Sequence, residues 1–244
     1  MGHLTEERPK CMVELGGRPL LEWQTAALRL AGVNDIAIVT GWRKELLESR
    51  VTTTFHNPRW MKTNMVISLV CAAPWLESDT CIVSYSDIFY PPQAVTSLDM
   101  FGADLAITYD PDWLSLWSRR FSDPLSDAET FRTDNEGRII EIGNKAAQLD
   151  EIRGQYMGLL RFTPAGWHTV HCYLDKLDSA ALDKLDMTTL LRGLVHIGTT
   201  IKAVPLRGRW GEIDSATDLA LYEEDLRLGL IAFPHPSAIP GTAS

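Results

Sequence analysis

Cys81-Ile82-Val83-Ser84-Tyr85-Ser86-Asp87 is the stretch on which the fold turns. Its first five residues form a mostly apolar, β-prone run, interrupted only by the small Ser84, the pattern of a buried strand. Ser86-Asp87 ends that run and leaves a carboxylate just past the strand's C-terminal end. Working outward, Asp35 to Gly41 (DIAIVTG) and Asp104 to Thr108 (DLAIT) read the same way. Helical patterns separate these runs. From Pro19 to Ala31, Leu20, Trp23, Ala27 and Leu30 recur at helical spacing, with Gly32 as the C-cap. Arg43 to Ser49 reads as a short helix, Asn64 caps a helix from Met65 to Ala73, and Pro92 to Met100 reads as another. Strands alternating with helices predict the α/β class, with a mainly parallel sheet and helices on both faces. In such sheets ligands collect outside the carboxyl ends of the strands, so Asp87 is the first candidate functional residue.

The pattern changes after Tyr109. Asp110 to Asp127 carries two tryptophans, prolines and mixed charge without a clear period. Glu129 to Thr133 and Arg138 to Ile142 flank Asp134-Asn135-Glu136-Gly137, which predicts a small antiparallel hairpin. Gly158 to Phe162 and Ile201 to Pro205 read as strands. Pro164 to Leu177, Thr188 to Ile197 and Ser215 to Leu228 read as helices, the last capped by Ser215. This organisation predicts a single domain over 1–232, with 109–162 as an insertion and 233–244 as a flexible tail.

The chain has 244 residues and a formal net charge of -9. That excess of carboxylates argues against a nucleic acid polymer as partner, because such binding depends on Lys and Arg. One nucleotide can still be held where a few basic residues converge and a cation screens the carboxylates. The four cysteines (Cys11, Cys71, Cys81, Cys172) lie apart with no CxxC pair, and read as buried thiols in a reducing, cytoplasmic setting. No signal peptide is visible, and no apolar run is long enough for a membrane span. His168, His171 and Cys172 share a helix face, but no fourth ligand is evident. A homodimer is left open.

Several separated segments, in order, resemble the nucleotidyltransferase superfamily of sugar-nucleotide and MobA-like NTP transferases. They are Leu4-Thr5-Glu6-Glu7-Arg8-Pro9-Lys10, then Leu15-Gly16-Gly17-Arg18-Pro19-Leu20, Thr40-Gly41-Trp42, Thr63-Asn64-Met65-Val66-Ile67-Ser68-Leu69, Ser86-Asp87-Ile88 and Trp210-Gly211-Glu212-Ile213-Asp214. The 123–130 and 154–158 segments look most like those of the CTP:phosphocholine and phosphonate cytidylyltransferases. The resemblance implies a Rossmann-like fold and transfer of CMP from CTP to a small phosphorylated alcohol or phosphonate, with Mg2+ and release of pyrophosphate. In that family a strand and a glycine-rich triphosphate loop precede the Pro-Lys segment, and here nothing precedes Met1. A first strand is therefore expected to be missing, with a gap or an exposed strand edge beside Ile36–Thr40.

Site residues follow from the same resemblance. Asp87 and Asp214 are the expected metal ligands, with Glu212 an even choice and Asp218 a helix-start residue. Lys10 is expected at the triphosphate and Lys145 at the acceptor phosphate. Arg8, Gly41, Trp42, Asn64 and Ser68 are expected near the nucleotide. Trp113, Trp117, Asp127, Glu129, Tyr156 and Trp210 are expected on the acceptor side, where an amine can lie over an aromatic ring. Two alternatives stay open, a sugar 1-phosphate as acceptor and a chain that binds without turnover.

Overall fold

The computed structural model describes residues 2–100 and 102–235. The chain opens with β1 (Glu14–Leu15) and β2 (Arg18–Pro19), a hairpin around Gly16 and Gly17, both at positive φ. Helix α1 (Leu20–Leu30) follows, and Gly32 closes it at φ 91°. Strand β3 (Ala37–Thr40) pairs in parallel with β4 (Thr53–His56), in a stretch to which no element was assigned from the sequence. The short helix expected over Arg43–Ser49 shrinks to a 3-10 turn, Lys44–Leu46. The helix expected from Met65 to Ala73 is two helices, α2 (Met65–Val70) and α3 (Ala73–Ser78), the second begun by Pro74. Strand β5 (Cys81–Ser84) then runs into β6 (Ile88–Phe89) and α4 (Pro92–Asp99).

The second half begins with β7 (Leu105–Asp110) and α5 (Trp113–Arg120), a helix inside the segment that lacked a clear period. The hairpin is β8 (Glu129–Thr133) and β9 (Ile139–Lys145). After it come β10 (Gln155–Phe162), α6 (Pro164–Leu174), α7 (Ser179–Lys184) and α8 (Met187–His196). The last elements are β11 (Lys202–Pro205), β12 (Gly211–Glu212) and α9 (Ala216–Arg227).

The main sheet has the order β11-β7-β10-β5. Strands β11, β7 and β5 point the same way, and β10 alone is reversed between β7 and β5. The α/β class holds, but the expected parallel pairing is reduced to β11–β7 and β3–β4. Because β10 is central, the expected insertion over 109–162 ends inside the sheet, and what projects from it lies between Asp110 and Gln155. Cores form on both faces of the sheet. Along β7, Leu105 and Ile107 join one cluster with Leu160, Trp167 and Leu190. Ala106 joins the other with Ala27, Val95, Trp117 and Trp210. That alternation is the period-two signature of a strand covered on both faces.

The interruption expected beside Ile36–Thr40 is present. Among the described residues strand β3 pairs only with β4, β5 pairs only with β10, and the two do not meet. A cavity of about 740 Å³ separates them, lined by Ile36 to Val39 on one side and Thr80 to Ser84 on the other.

The other expectations divide. Phe233, placed in the tail, packs its ring 5.3 Å from that of Trp23, while 236–244 lie outside the described residues. Only Cys11 is buried as expected; Cys71 and Cys81 are half-buried and Cys172 is exposed. Cys172 lies on α6, whose exposed His171 pairs with Asp175 at 3.2 Å. No helix among the described residues is long and apolar enough to cross a membrane.

Candidate active site

The geometry of the site begins with the pairing of β6 and β12. Glu212 lies opposite Ile88 and Gly211 opposite Phe89 in antiparallel register. The Ile213 N–H continues the ladder to the Asp87 carbonyl at 2.9 Å. Asp87 and Asp214, distant in sequence, are thereby set side by side at the end of β5. Gly211 permits this approach, since a Cβ there would lie 2.4 Å from the Tyr222 ring and 2.6 Å from that of Phe89. From the other side, buried Gln24 of α1 donates to the Tyr85 and Ile88 carbonyls at 2.8 and 2.6 Å and clamps the turn that carries Asp87.

Asp87, Glu212 and Asp214 each present a carboxylate oxygen within 4.8 Å of the others. Buried Asp87 Oδ2 accepts from Lys10 Nζ at 2.8 Å, while its Oδ1 has no hydrogen-bond partner among the described residues. A buried carboxylate oxygen left unpaired is costly and marks a place where a partner belongs. Lys10 Nζ also donates to Asp214 Oδ1 at 3.1 Å. Burial alone would lower the lysine's pKa, but Asp87 and Asp214 outweigh it, and the ammonium is held charged well above its usual range. Burial, reinforced by the neighbouring Asp214 and Asp87 charges, pushes Glu212 up to about 8. Four carboxylates, Asp87, Glu212, Asp214 and Asp218, share two cations, Lys10 and Arg120, and a further cation would relieve the excess.

The cluster borders a cavity of about 220 Å³, to which Glu212 and Asp214 belong together with Tyr85, Trp117, Asp127, Glu129, Tyr156 and Trp210. No Lys or Arg lines it among the described residues. The Trp117 indole donates to Asp127 at 3.0 Å and that of Trp210 to Asp110 at 2.9 Å. Their ring centroids stand 6.2 Å apart. The walls are thus aromatic faces fixed by their own N–H groups, with carboxylates between them.

Of the expected residues, Lys10, Asp87 and Asp214 come together, and Trp117, Asp127, Glu129, Tyr156 and Trp210 share the adjoining cavity. Trp113 does not line it. Its indole is buried in the core, 6.0 Å from Trp117, and its N–H is spent on the Ile152 carbonyl at 3.3 Å. Lys145 is exposed at the end of β9, opposite Glu129 in the ladder but outside the cavity lining. Arg8 is exposed, two residues before Lys10.

Gly41, Trp42, Asn64 and Ser68 line neither cavity. They stand beyond the C-terminal end of β3, in a neighbourhood organised by buried Asn57, whose N–H donates to the Thr40 carbonyl at 2.8 Å. The Asn57 amide donates to Thr63 and to the Ser68 hydroxyl, each at 3.0 Å. The Asn64 side chain is committed to capping α2 and to the Lys184 carbonyl. A Cβ on Gly41 would meet that of Trp60 at 2.7 Å. Gly41, Asn64 and Ser68 therefore each have a local structural role.

Glu212, an even choice from the sequence, joins the carboxylate cluster. Two participants were not among the expected site residues: Gln24 holds the Asp87 turn, and Arg120 lies beneath the cluster, bonded to Glu212, Asp214 and Asp218. The Trp113/Trp117 spacing of four, beginning directly after Asp112, was a helix signal that would have placed Arg120 on a defined element.

Known proteins resemble this chain in sequence and in fold. Residues 1–132 match the MobA-like NTP transferase domain. The chain is 37% identical to CTP:phosphoglutamine cytidylyltransferase of Campylobacter jejuni subsp. jejuni, over 91% of this chain and 93% of that protein. It is 26% identical to 2-aminoethylphosphonate cytidylyltransferase of Lancefieldella rimae, over 59% of this chain and 55% of that one. Among solved structures it superposes on the inositol-1-phosphate CTP transferase of T. maritima with a TM-score of 0.72 at 20% identity, covering 94% of this chain and 91% of that one. The chain belongs to the MobA-like NTP transferase family and is a nucleotidyltransferase of the cytidylyltransferase kind.

Proposed function

We propose that this protein transfers CMP from CTP to a small phosphorylated or phosphonate acceptor that carries a cationic amine, with Mg2+ and release of pyrophosphate. The observation that carries the proposal is the shared membership of Glu212 and Asp214. They belong to the carboxylate cluster and also to the wall of the acidic, aromatic cavity. A cation site and an acceptor site are thus contiguous.

An acceptor oxygen attacks the α-phosphorus in line, and pyrophosphate leaves with the opposite P–O bond. No protein nucleophile is needed; the site must align the groups and neutralise accumulating negative charge. The residues fit a hard divalent cation, since the donor set is all carboxylate oxygen and one buried oxygen lacks a partner. Mg2+ bound by Asp87, Glu212 and Asp214 would supply charge neutralisation and a template for the phosphate oxygens. Lys10, fixed in its charged form by Asp87 and Asp214, offers an ammonium to the same developing charge. Asp127 and Glu129 attract the acceptor's amine while Trp117, Trp210 and Tyr156 give it aromatic faces, worth roughly 0.5–2 kcal/mol per cation–π contact. A sugar 1-phosphate brings no positive charge to set against those carboxylates, which is why the amine-bearing class is preferred.

Pyrophosphate release tests this reading. The protein is incubated with CTP, Mg2+ and, separately, phosphoglutamine, 2-aminoethylphosphonate, phosphocholine and glucose 1-phosphate. The expected result is release with at least one amine-bearing acceptor and a preference for CTP over ATP, GTP and UTP. Release with glucose 1-phosphate alone would overturn the acceptor class. Silence with every pair, together with a rise in Tm on adding CTP and Mg2+, would instead support binding without turnover.

A further inference from the structure

Arg120 has no part in the reaction described above, and its burial calls for an explanation. It is the last residue of α5, and its side chain is 1% exposed. A guanidinium removed from water is costly unless its donors are matched by carboxylates in good geometry. Here Nε donates to Asp218 Oδ1 at 3.0 Å, one terminal nitrogen to Glu212 Oε2 at 3.3 Å, and the other to Asp214 Oδ2 at 3.3 Å. The plane of the group lies near Trp117 and Phe121, 5.3 and 5.1 Å from their ring centroids.

The partners are not equivalent. Asp218 is fixed by the start of α9, where its Oδ2 accepts from the Asp214 and Ser215 N–H groups and from the Ser215 hydroxyl. It therefore anchors Arg120 to a rigid helix end. Asp214 divides its two oxygens, Oδ2 turning in to Arg120 and Oδ1 turning out to Lys10, toward Asp87. Arg120 thus fixes the rotation of the Asp214 carboxylate, leaving its other oxygen facing the cluster. It also holds Glu212 beside Asp214, which their like charges oppose.

We propose that Arg120 is the positioning residue of the cation site. It orients Asp214 and Glu212 so that their outer oxygens converge with Asp87, and so sets divalent-cation affinity without touching substrate. The proposal rests on the nucleotidyl-transfer reading for the purpose of the site, but its test does not depend on turnover. Through Trp117, one turn earlier on α5, the same helix carries a wall of the acceptor cavity.

The test compares the wild type with Arg120→Lys, Arg120→Met and Asp218→Asn, with Arg227→Lys as a control at an exposed pair. Mn2+ binding is titrated by electron paramagnetic resonance without nucleotide, and the KM for Mg2+ and kcat are measured in the pyrophosphate assay. Arg120→Lys keeps the charge but loses the planar fork. It is expected to raise the Mn2+ Kd and the Mg2+ KM together by about tenfold or more, with kcat largely recovered at saturating Mg2+. Arg120→Met is expected to lose more, and Asp218→Asn to move both values the same way by less. Wild-type Mn2+ affinity in Arg120→Lys, or a fall in kcat with an unchanged Mg2+ KM, would overturn the proposal. If neither arginine variant folds, unchanged Mn2+ affinity in Asp218→Asn would overturn it instead. If the wild type binds Mn2+ but turns over no acceptor, the reaction reading fails while the Mn2+ arm still decides the role of Arg120. If the wild type binds no Mn2+, the proposal fails outright.

Discussion

The two sides of β5 are built to different standards. Past its C-terminal end, the Asp87 turn is held by Gln24 and by the β6–β12 ladder, and an arginine ties the adjoining Glu212 and Asp214 to Asp218 at the start of α9. Along its free edge, the same strand faces β3 across about 740 Å³, with Cys11, Leu28, Leu69 and Trp75 lining the space. On the first side most polar atoms are assigned, and among the exceptions is Asp87 Oδ1, which sits where a cation would go. On the second side, strand edges and apolar side chains are left without a covering layer. The contrast shows that the candidate site depends on the carboxyl end of β5 and on the closing helix, not on continuity of the sheet with β3.

That contrast can be broken most severely at Asp87. Asp87→Asn keeps the shape of the turn but removes a charge from the cluster. It is expected to lower kcat by about 10²–10³, the scale for loss of one key electrostatic group at a reacting centre. Pyrophosphate release at saturating CTP measures it.

A stability comparison between the two sides comes next. Asp218→Ala leaves Arg120 buried without its anchor and is expected to cost about 3–5 kcal/mol in urea unfolding. Ala72→Leu adds volume on the cleft side, where overpacking normally costs about 1–3 kcal/mol. Because Ala72 lines the open space, the expected change is within about 0.5 kcal/mol of zero. Equal losses in the two variants would show that the cleft is packed after all.

The acceptor wall should show a smaller effect. Glu129→Gln is expected to raise the KM for an amine-bearing acceptor by roughly tenfold, the loss of one charge-assisted contact of about 1.4 kcal/mol, with kcat little changed. An unchanged KM would remove Glu129 from amine recognition.

The smallest expected effect is a pH dependence at Asp110. Burial raises its pKa above 3.8 in the fold, and the bonds from Trp210 and from the Asp112 N–H only partly offset this. A carboxyl whose folded pKa exceeds its unfolded value favours the fold when protonated. The relative stability is therefore full below 3.8 and is lost as pH rises through the raised folded value. Asp110→Asn keeps an acceptor for the Trp210 indole, so it should equal or slightly exceed the wild type at pH 7. That margin should vanish in acid, as followed by urea midpoints from pH 7 to pH 3. A margin that grew in acid would reverse the assignment.

Parts of this architecture were legible because their determinants are local. The apolar runs at 35–41, 81–85 and 104–108 each became a strand, and Asn64 and Ser215 cap the helices their identities announced. Lys10, Asp87 and Asp214 could be named because each stands in a short motif. Other features were illegible for physical reasons. The direction of β10 is set by its neighbours, and alternation along a strand is the same whichever way the strand runs. Strand β4 lies in Val51-Thr52-Thr53-Thr54-Phe55-His56, where β-branched residues gave a propensity signal without an alternating pattern. Arg120 is separated from Glu212, Asp214 and Asp218 by more than ninety residues, so no spacing rule could join them. Trp113 and Trp117 share one helix face and one core cluster, and only Trp117, one turn further along, also reaches the cavity wall.

The central claim is that Asp87, Glu212 and Asp214 form the cation site of a nucleotidyl-transfer centre. Anomalous scattering from a crystal grown with CTP and Mn2+ tests it most directly. The account predicts a manganese peak coordinated by oxygens of Asp87 and Asp214, with Glu212 beside it and the nucleotide's phosphates on the open side. A peak held by other residues, or nucleotide density with no metal between Asp87 and Asp214, would contradict it.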